Sequence, residues 1–77
     1  MEVAVKLFNQ LRTYSPDRRF VFSIQLPRGA SVGDLLEELD IPSTVARSML
    51  LNGRRIDEKA LLSPGDEVVL MSPIEGG

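Results

Sequence analysis

The chain contains no cysteine and no histidine among its 77 residues. The absence of cysteine excludes disulfides, thiolate nucleophiles and zinc-finger ligand sets. The absence of histidine removes the commonest general base and the commonest metal ligand. A glycine-rich phosphate loop with its lysine is also missing, so the chain has no motif for activating ATP by itself. We therefore expect no metal site and no stand-alone enzyme.

Long apolar runs and a dominant charge are absent as well. We find no run of about 18 apolar residues and no signal-peptide pattern, which predicts a cytoplasmic protein with no export and no membrane span. The net charge is -2, with acidic and basic residues interspersed, whereas a nucleic-acid surface needs a basic stripe. A length of 77 residues indicates one domain, near the lower limit for folding without disulfides or metals.

Alternating apolar residues predict two strands in the first third of the chain. In residues 2–8, one face would hold Val3, Val5 and Leu7, because every second side chain of a strand points the same way. In residues 20–26, the inward face is expected to hold Phe20, Phe22, Ile24 and Leu26. A helical turn or a loop with turn residues separates them. We expect an antiparallel hairpin with a long connection.

The spacing of apolar residues predicts one main helix over residues 31–40. Ser31 is a suitable N-cap, and Asp34 follows three residues later as in a capping box. Pro42 follows the expected end of the helix. The apolar face of this helix would consist of Val32, Leu35, Leu36 and Leu39.

The last third of the chain predicts a second hairpin and a central strand. Asn52-Gly53 lies between apolar flanks and is a strong hairpin signal, because both residue types accept a positive φ. Leu61 and Leu62 belong to a connection and are expected to lie under the domain. Residues 67–71 would form a strand that is apolar on both faces, as strands in the middle of a sheet are.

The predicted element order is β-β-α-β-β-β, which indicates an α+β fold. A helix between the first hairpin and the later strands must cross one face of the sheet. The first and last strands are the most uniformly apolar, so we place them side by side and parallel in the centre. This arrangement is a β-grasp, ubiquitin-like fold, with a mixed four- to five-stranded sheet packed on one main helix.

Five segments together resemble the small sulfur-carrier subunit of molybdopterin synthase, in the ubiquitin-like MoaD/ThiS family. They cover essentially the whole chain in the family's order: VKLFNQLR, LPRGASVGDLLEEL, LLNGRRID, LLSPGDEVVLMSP and the final Gly76-Gly77. The related sulfur carrier of thiamine thiazole synthesis also ends in Gly-Gly. That carrier is usually shorter before the helix and lacks the KLFNQLR stretch, so the molybdopterin branch is the closer resemblance.

The resemblance implies a sulfur carrier that other proteins act upon. An adenylating enzyme, similar to ubiquitin-activating enzymes, would use ATP to join the carboxylate of Gly77 to AMP. A sulfur donor protein would then convert this end to a thiocarboxylate. The large molybdopterin synthase subunit would use that sulfur to make molybdopterin, for the molybdenum cofactor. No cofactor would be bound to the carrier itself.

The last residues suit a reactive tail. Glycine at positions 76 and 77 leaves the reacting carbon unhindered in a partner's narrow tunnel. We expect a β-grasp domain over residues 1–73 and a flexible tail over residues 74–77, which spans at most about 14 Å. Partner contacts are expected at Pro73, Ile74, Glu75, Phe8, Leu61 and Met71. For the last three, core packing remains an open alternative.

Two other functions use the same sequence features. Attachment of an activated Gly77 to a lysine amine would make the chain a ubiquitin-like protein modifier, whereas an inert tail would leave a plain binding module. Two positions depart from the family pattern, because Glu75 replaces a small residue and Ser72 replaces a common proline. An acidic side chain beside the reacting end repels AMP, which calls for a matching cation in the partner or for a different pathway.

Overall fold

The described part of the protein is a mixed five-stranded sheet with one α-helix packed on one face. The computed structural model describes residues 1–42 and 48–71. The strands are β1 (Glu2–Phe8), β2 (Val21–Gln25), β3 (Ser48–Leu51), β4 (Arg54–Arg55) and β5 (Glu67–Met71); the α-helix is α1 (Val32–Glu38), and two 3-10 helices span Asn9–Tyr14 and Pro16–Arg18. The predicted order of elements is confirmed. In this part of the chain, no helix has the length and apolarity that a membrane crossing requires.

The first and last strands lie side by side at the centre of the sheet, as predicted. The strand order is β2-β1-β5-β3-β4. β1 pairs antiparallel with β2 and parallel with β5, and β5 pairs antiparallel with β3. These pairings confirm the β-grasp architecture, in which the chain leaves the central strand β5 at Met71.

A single apolar cluster fills the space between the sheet and α1. The alternation in β1 is confirmed, because every second side chain is completely buried and the intervening ones are not. The apolar face of α1 packs on this inner face of the sheet, and burial of such side chains contributes about 1.5–3 kcal/mol each. The completely buried members are Val3, Val5, Leu7, Leu11, Val32, Leu35, Val68 and Leu70.

The start of α1 is fixed by the predicted capping box. The Asp34 backbone N–H donates to Ser31 Oγ at 3.2 Å, and the Ser31 N–H donates to Asp34 Oδ2 at 2.9 Å. Two N–H groups that have no partner inside the helix are thereby satisfied. The negative charge of Asp34 also lies in the first turn, where the helix dipole favours it.

The end of α1 is a Schellman motif built on a left-handed aspartate. Asp40 has a φ of 57°, and its N–H donates to the Glu37 carbonyl at 3.0 Å. The Ile41 N–H reaches back to the Leu36 carbonyl at 2.8 Å, the longer bond of the motif. Because the chain reverses here, α1 is shorter than the predicted range of 31–40.

The hairpin turn between β3 and β4 is confirmed and is tied to the start of β5. Asn52 and Gly53 have φ values of 52° and 85°. Asn52 Nδ2 donates to Asp66 Oδ1 at 2.9 Å, and the Glu67 N–H donates to Asn52 Oδ1 at 2.9 Å. The amide of one turn residue therefore joins two turns that are distant in sequence.

Two side chains that were predicted to point into the core are exposed, so these two predictions are wrong. Phe20 is 48% exposed, because β2 begins at Val21 and the Phe20 ring packs against Phe8 at the end of the sheet. Leu61 is 68% exposed, whereas Leu62 is 5% exposed. Successive side chains of an extended segment point in opposite directions, so only one of the two leucines can enter the core.

Candidate carrier surface

The sheet has an outer face that points away from α1. In β1 and β5, side chains alternate between the buried face and this outer face. Lys6 and Phe8 of β1 and Val69 and Met71 of β5 belong to the outer set, and each is at least partly exposed. The outer face of the central strands thus holds the apolar Ala4, Phe8, Val69 and Met71 and the charged Glu2, Lys6 and Glu67.

Strand register brings Phe8 and Met71 together on this surface. They are Cα partners in the parallel pair of β1 and β5, and Ser48 of β3 is the partner of Met71 on its other side. Phe8 is 36% exposed. Two of the residues expected to contact partners therefore lie next to each other, at the end of β5 from which residues 72–77 continue.

Phe20 and Arg12 extend this end of the surface. The Phe8 and Phe20 ring centroids are 6.2 Å apart, with the rings tilted by 47°. Arg12 Cζ lies 5.7 Å from the Phe20 ring centroid, within the range of a cation–π contact. Sequence reasoning missed Phe20 as a surface residue; the available signal was its place between a turn and the first strand residue.

Leu61 occupies a different part of the surface. Its bridge partner is Ser31, and the following Leu62 N–H donates to the Ala30 carbonyl at 2.9 Å. These bonds place Leu61 beside the segment that leads into α1, rather than in the row formed by Phe8 and Met71. The side chain is exposed, as a docking residue requires.

One ion pair crosses the outer face. Lys6 Nζ lies 3.5 Å from Glu67 Oε2, with side chains 37% and 45% exposed. Solvent-exposed pairs of this kind contribute about 0–1 kcal/mol. Its structural effect is to direct the Lys6 side chain toward the start of β5, away from Met71 and the exit of the chain.

The end of the chain that is predicted to be reactive lies outside the described residues. Residues 72–77 are not described, so the roles expected for Pro73, Ile74, Glu75, Gly76 and Gly77 stay predictions. Within residues 1–42 and 48–71, no group of acidic, cysteine or histidine side chains is arranged to hold a metal ion. What the described surface offers is apolar contact at the point where the chain leaves β5.

The family model of the ThiS family matches residues 5–77. The chain belongs to the ThiS family. Its members are small ubiquitin-like sulfur carriers and non-catalytic subunits, so this ThiS-family protein is a carrier rather than an enzyme. The match includes Gly76 and Gly77. No curated protein matches the chain.

Solved structures with the same fold include subunits of molybdopterin-converting factors. A candidate molybdopterin converting factor subunit 1 from Pyrococcus furiosus is 26% identical, with a TM-score of 0.75 over 95% of this chain and 98% of that one. A chain of the complex of subunits 1 and 2 of the Helicobacter pylori 26695 factor is 25% identical, with a TM-score of 0.65 and complete coverage of both chains. Small archaeal modifier protein 1 of H. volcanii shares the fold at 20% identity and a TM-score of 0.76, over 95% of this chain and 98% of that one.

Proposed function

We propose that this protein carries sulfur for molybdopterin synthesis as a thiocarboxylate on Gly77. Membership of the ThiS family over residues 5–77 carries the proposal. The similarity to the subunits of the P. furiosus and H. pylori molybdopterin-converting factors supports the choice of pathway.

A carboxylate needs activation, because its charge and resonance make it a poor electrophile. A carboxylate oxygen of Gly77 attacks the α-phosphorus of ATP on a partner adenylating enzyme, and pyrophosphate leaves. Nucleophilic sulfur from a sulfide donor then attacks the acyl carbon, and AMP leaves with the electron pair of the broken C–O bond. The product is a thiocarboxylate, and the carrier needs no catalytic group or bound cofactor of its own.

The folded domain positions the tail for its partners and supplies no reacting group of its own. Residues 74–77 act as the tail, which spans at most about 14 Å beyond Pro73, and Pro73, Ile74 and Glu75 contact the tunnel of the partner. Phe8 and Met71 contact the mouth of that tunnel, because they lie side by side where the chain leaves β5. Leu61 serves a second contact beside α1. The carrier acts in the cytoplasm with the adenylating enzyme, the sulfur donor and the large synthase subunit.

Two alternative functions would use the same activated Gly77. They are thiamine thiazole synthesis and protein modification. The match to the ThiS family model over residues 5–77 supports the first alternative as well. The second shares the activated Gly77 and differs in the acceptor, which is a lysine amine instead of sulfide. These alternatives give different products, so one experiment separates them.

The test is a reconstitution with the native host's adenylating enzyme, ATP and sulfide. Intact-mass spectrometry is expected to show a product about 16 Da heavier than the carrier. When the host's large synthase subunit and the pterin precursor are added, the extra mass is expected to disappear as molybdopterin forms. A chain that lacks Gly77 is the control and is expected to keep its mass.

Three outcomes would contradict the proposal in different ways. Transfer of sulfur only to the thiazole synthase of the host would assign the thiamine pathway. Isopeptides between Gly77 and lysine, with no thiocarboxylate, would assign protein modification. A mass that never changes, with active partners confirmed on their own substrates, would leave an inert binding module.

A further inference from the structure

The two edges of the sheet are built differently. β4 forms one edge, spans only Arg54–Arg55 and is exposed and charged, and a short, charged edge strand resists pairing with another chain. β2 forms the opposite edge of the described sheet, over five residues. Residues 20–26, with the sequence FVFSIQL, contain no charge, no glycine and no proline. One edge is therefore protected against the addition of a strand, whereas the other is not.

The backbone of β2 bonds to β1 through every second residue. The Met1 backbone nitrogen donates to the Leu26 carbonyl at 2.7 Å, and the Leu26 N–H donates to the Met1 carbonyl at 2.8 Å. At the other end of the pair, the Leu7 N–H donates to the Phe20 carbonyl at 2.8 Å. Bonded and non-bonded positions alternate along an antiparallel pair. The intervening residues of β2 therefore direct their N–H and C=O groups away from β1.

The residues that point outward along this edge are Val21, Ser23 and Gln25. Among the described residues, no group donates a hydrogen bond to their carbonyls or accepts one from their N–H groups. The row is closed at both ends. Pro27 has no N–H and its carbonyl is already bonded in the following turn, while the Arg19 N–H is bonded in the preceding turn. The free edge is therefore a short row in which each outward residue offers one donor and one acceptor.

A second copy of the same edge, turned antiparallel about Ser23, matches this row group for group. Ser23 would face Ser23 of the second copy, and Val21 would face Gln25 of the second copy. Each facing pair of this kind exchanges two N–H···O bonds, so every free donor and acceptor on both edges gains a partner. A slip of one residue would turn the bonding groups away from each other, and a slip of two would leave some of them without partners.

The side chains of β2 favour the same pairing. Phe22 and Ile24 pack against the core and are only partly buried, and in the paired edges each Phe22 would lie opposite Ile24 of the second copy. Aromatic and β-branched residues are favourable neighbours across two strands. On the outer face, the side chains that would face each other are all neutral. The pairing therefore brings no like charges together.

We propose that two copies of this chain associate through their β2 edges into a two-fold symmetric dimer, in which the two sheets become one. The contact is isologous, because the same residues serve both copies, and the protected β4 edges stop further addition of chains. A single pair of five-residue strands is a small interface, so we expect a dissociation constant of about 10 μM to 1 mM.

This dimer goes beyond the carrier function and is compatible with it. β1 lies between β2 and β5, so the point where the chain leaves β5, at Met71, stays outside the contact. Because the two copies are antiparallel, their two chain exits would lie at opposite ends of the joined sheet.

The test is sedimentation velocity of the full chain at concentrations from about 10 μM to 1 mM. The unchanged chain is expected to pass from monomer to dimer over this range. Ser23→Lys places two ammonium groups opposite each other at the two-fold axis and should raise the dissociation constant at least about tenfold. Ser23→Glu should do the same with two carboxylates. An equimolar mixture of the two variants places opposite charges face to face and should associate at least about tenfold more tightly than either variant alone.

The matched control is Ser63→Lys, which makes the same charge change at an exposed serine outside β2. Its dissociation constant is expected to stay within about twofold of that of the unchanged chain. Lysine is common on edge strands, so the Ser23 variant should keep its fold, and its melting temperature checks this. In NMR spectra, the amide signals of Val21, Ser23 and Gln25 should move as the concentration of the unchanged chain rises, whereas those of β4 should not.

The proposal would be overturned if the unchanged chain stayed monomeric up to about 1 mM. It would also be overturned if Ser23→Lys left the dimer intact, if Ser63→Lys weakened it equally, or if the mixture of charged variants associated no better than either alone. Movement of the β2 amide signals only after addition of the host's adenylating enzyme would assign this edge to a strand of that protein instead. The sulfur-dependent mass gain at Gly77 judges the proposed function separately, since it does not require a dimer.

Discussion

Phe8 and Met71 are register partners in the parallel pair of the first and last strands. Phe8 is an exposed ring at the end of β1. Met71 ends β5 and is the last residue that the structure describes. Their pairing follows from the central position of β1 and β5 in the sheet. The chain therefore leaves the sheet beside this part of the outer face.

The neighbouring leucines 61 and 62 are expected to respond in opposite ways to substitution. Leu62→Ala removes a side chain that is 5% exposed and should lower the free energy of unfolding by about 2–5 kcal/mol. Leu61→Ala removes a side chain that is 68% exposed and should change the free energy of unfolding by less than about 0.5 kcal/mol. Urea unfolding followed by circular dichroism measures both values.

The same pair tests the docking role of Leu61. Binding of the large synthase subunit is expected to weaken for Leu61→Ala although the variant is as stable as the unchanged protein. Unaltered binding would remove Leu61 from the contact surface. Equal destabilisation by the two substitutions would contradict the exposures described above.

Asn52 is expected to stabilise the fold through its side chain as well as its backbone. Asn52→Gly keeps the left-handed backbone but loses the hydrogen bonds to Asp66 and Glu67, which should cost about 0.5–2 kcal/mol. Asn52→Ala should cost about 1–2 kcal/mol more, since alanine resists a positive φ. Chemical denaturation of the two variants separates these contributions, and a glycine variant more stable than the unchanged protein would refute the side-chain role.

Asp40 offers a route to a more stable protein. It has a φ of 57° just after α1, where glycine is the preferred residue. Its negative charge also lies at the helix end that favours cations. Asp40→Gly should therefore raise the free energy of unfolding by about 0.5–1 kcal/mol. Asp40→Ala removes the carboxylate but keeps the Cβ, so an equal gain from alanine would show that backbone strain is not the cause.

Gly77→Ala is expected to separate folding from activation. A methyl group on residue 77 should leave the melting temperature unchanged, because the core cluster of the described residues is complete by Leu70. The rate of pyrophosphate release by the adenylating enzyme should fall roughly tenfold or more, since the added side chain disturbs placement of the carboxylate. An alanine variant that is adenylated at the normal rate would argue against a tight tunnel around the last residue.

Local signals predicted most of the fold. Ser31 with Asp34 predicted the start of the helix, and Asn52-Gly53 predicted the hairpin; the structure confirms both. Period-2 alternation identified the buried face of β1, and the two-sided apolar character of residues 67–71 placed β5 in the centre. These features depend on neighbours within a few positions, which a sequence displays directly.

The errors occurred where an element ends. Phe20 continues the alternation of β2, but it precedes the first residue of that strand, and its ring lies against Phe8. Leu61 and Leu62 looked alike in the sequence, and only the bonds of the chain beside Ala30 and Ser31 decide which one faces inward. The sequence shows that such residues are apolar, whereas contacts between distant segments decide whether they are buried.

The most direct test of the central claim is the intact mass of the protein purified from its native host under conditions that preserve thiocarboxylates. We predict a fraction of chains that end at Gly77 and are about 16 Da heavier than the unmodified form. Tandem fragmentation should place the extra mass on Gly77, and it should disappear from cells that lack the adenylating enzyme. The account would be contradicted if the natural protein extended beyond Gly77 without processing, or if it never carried sulfur at that residue.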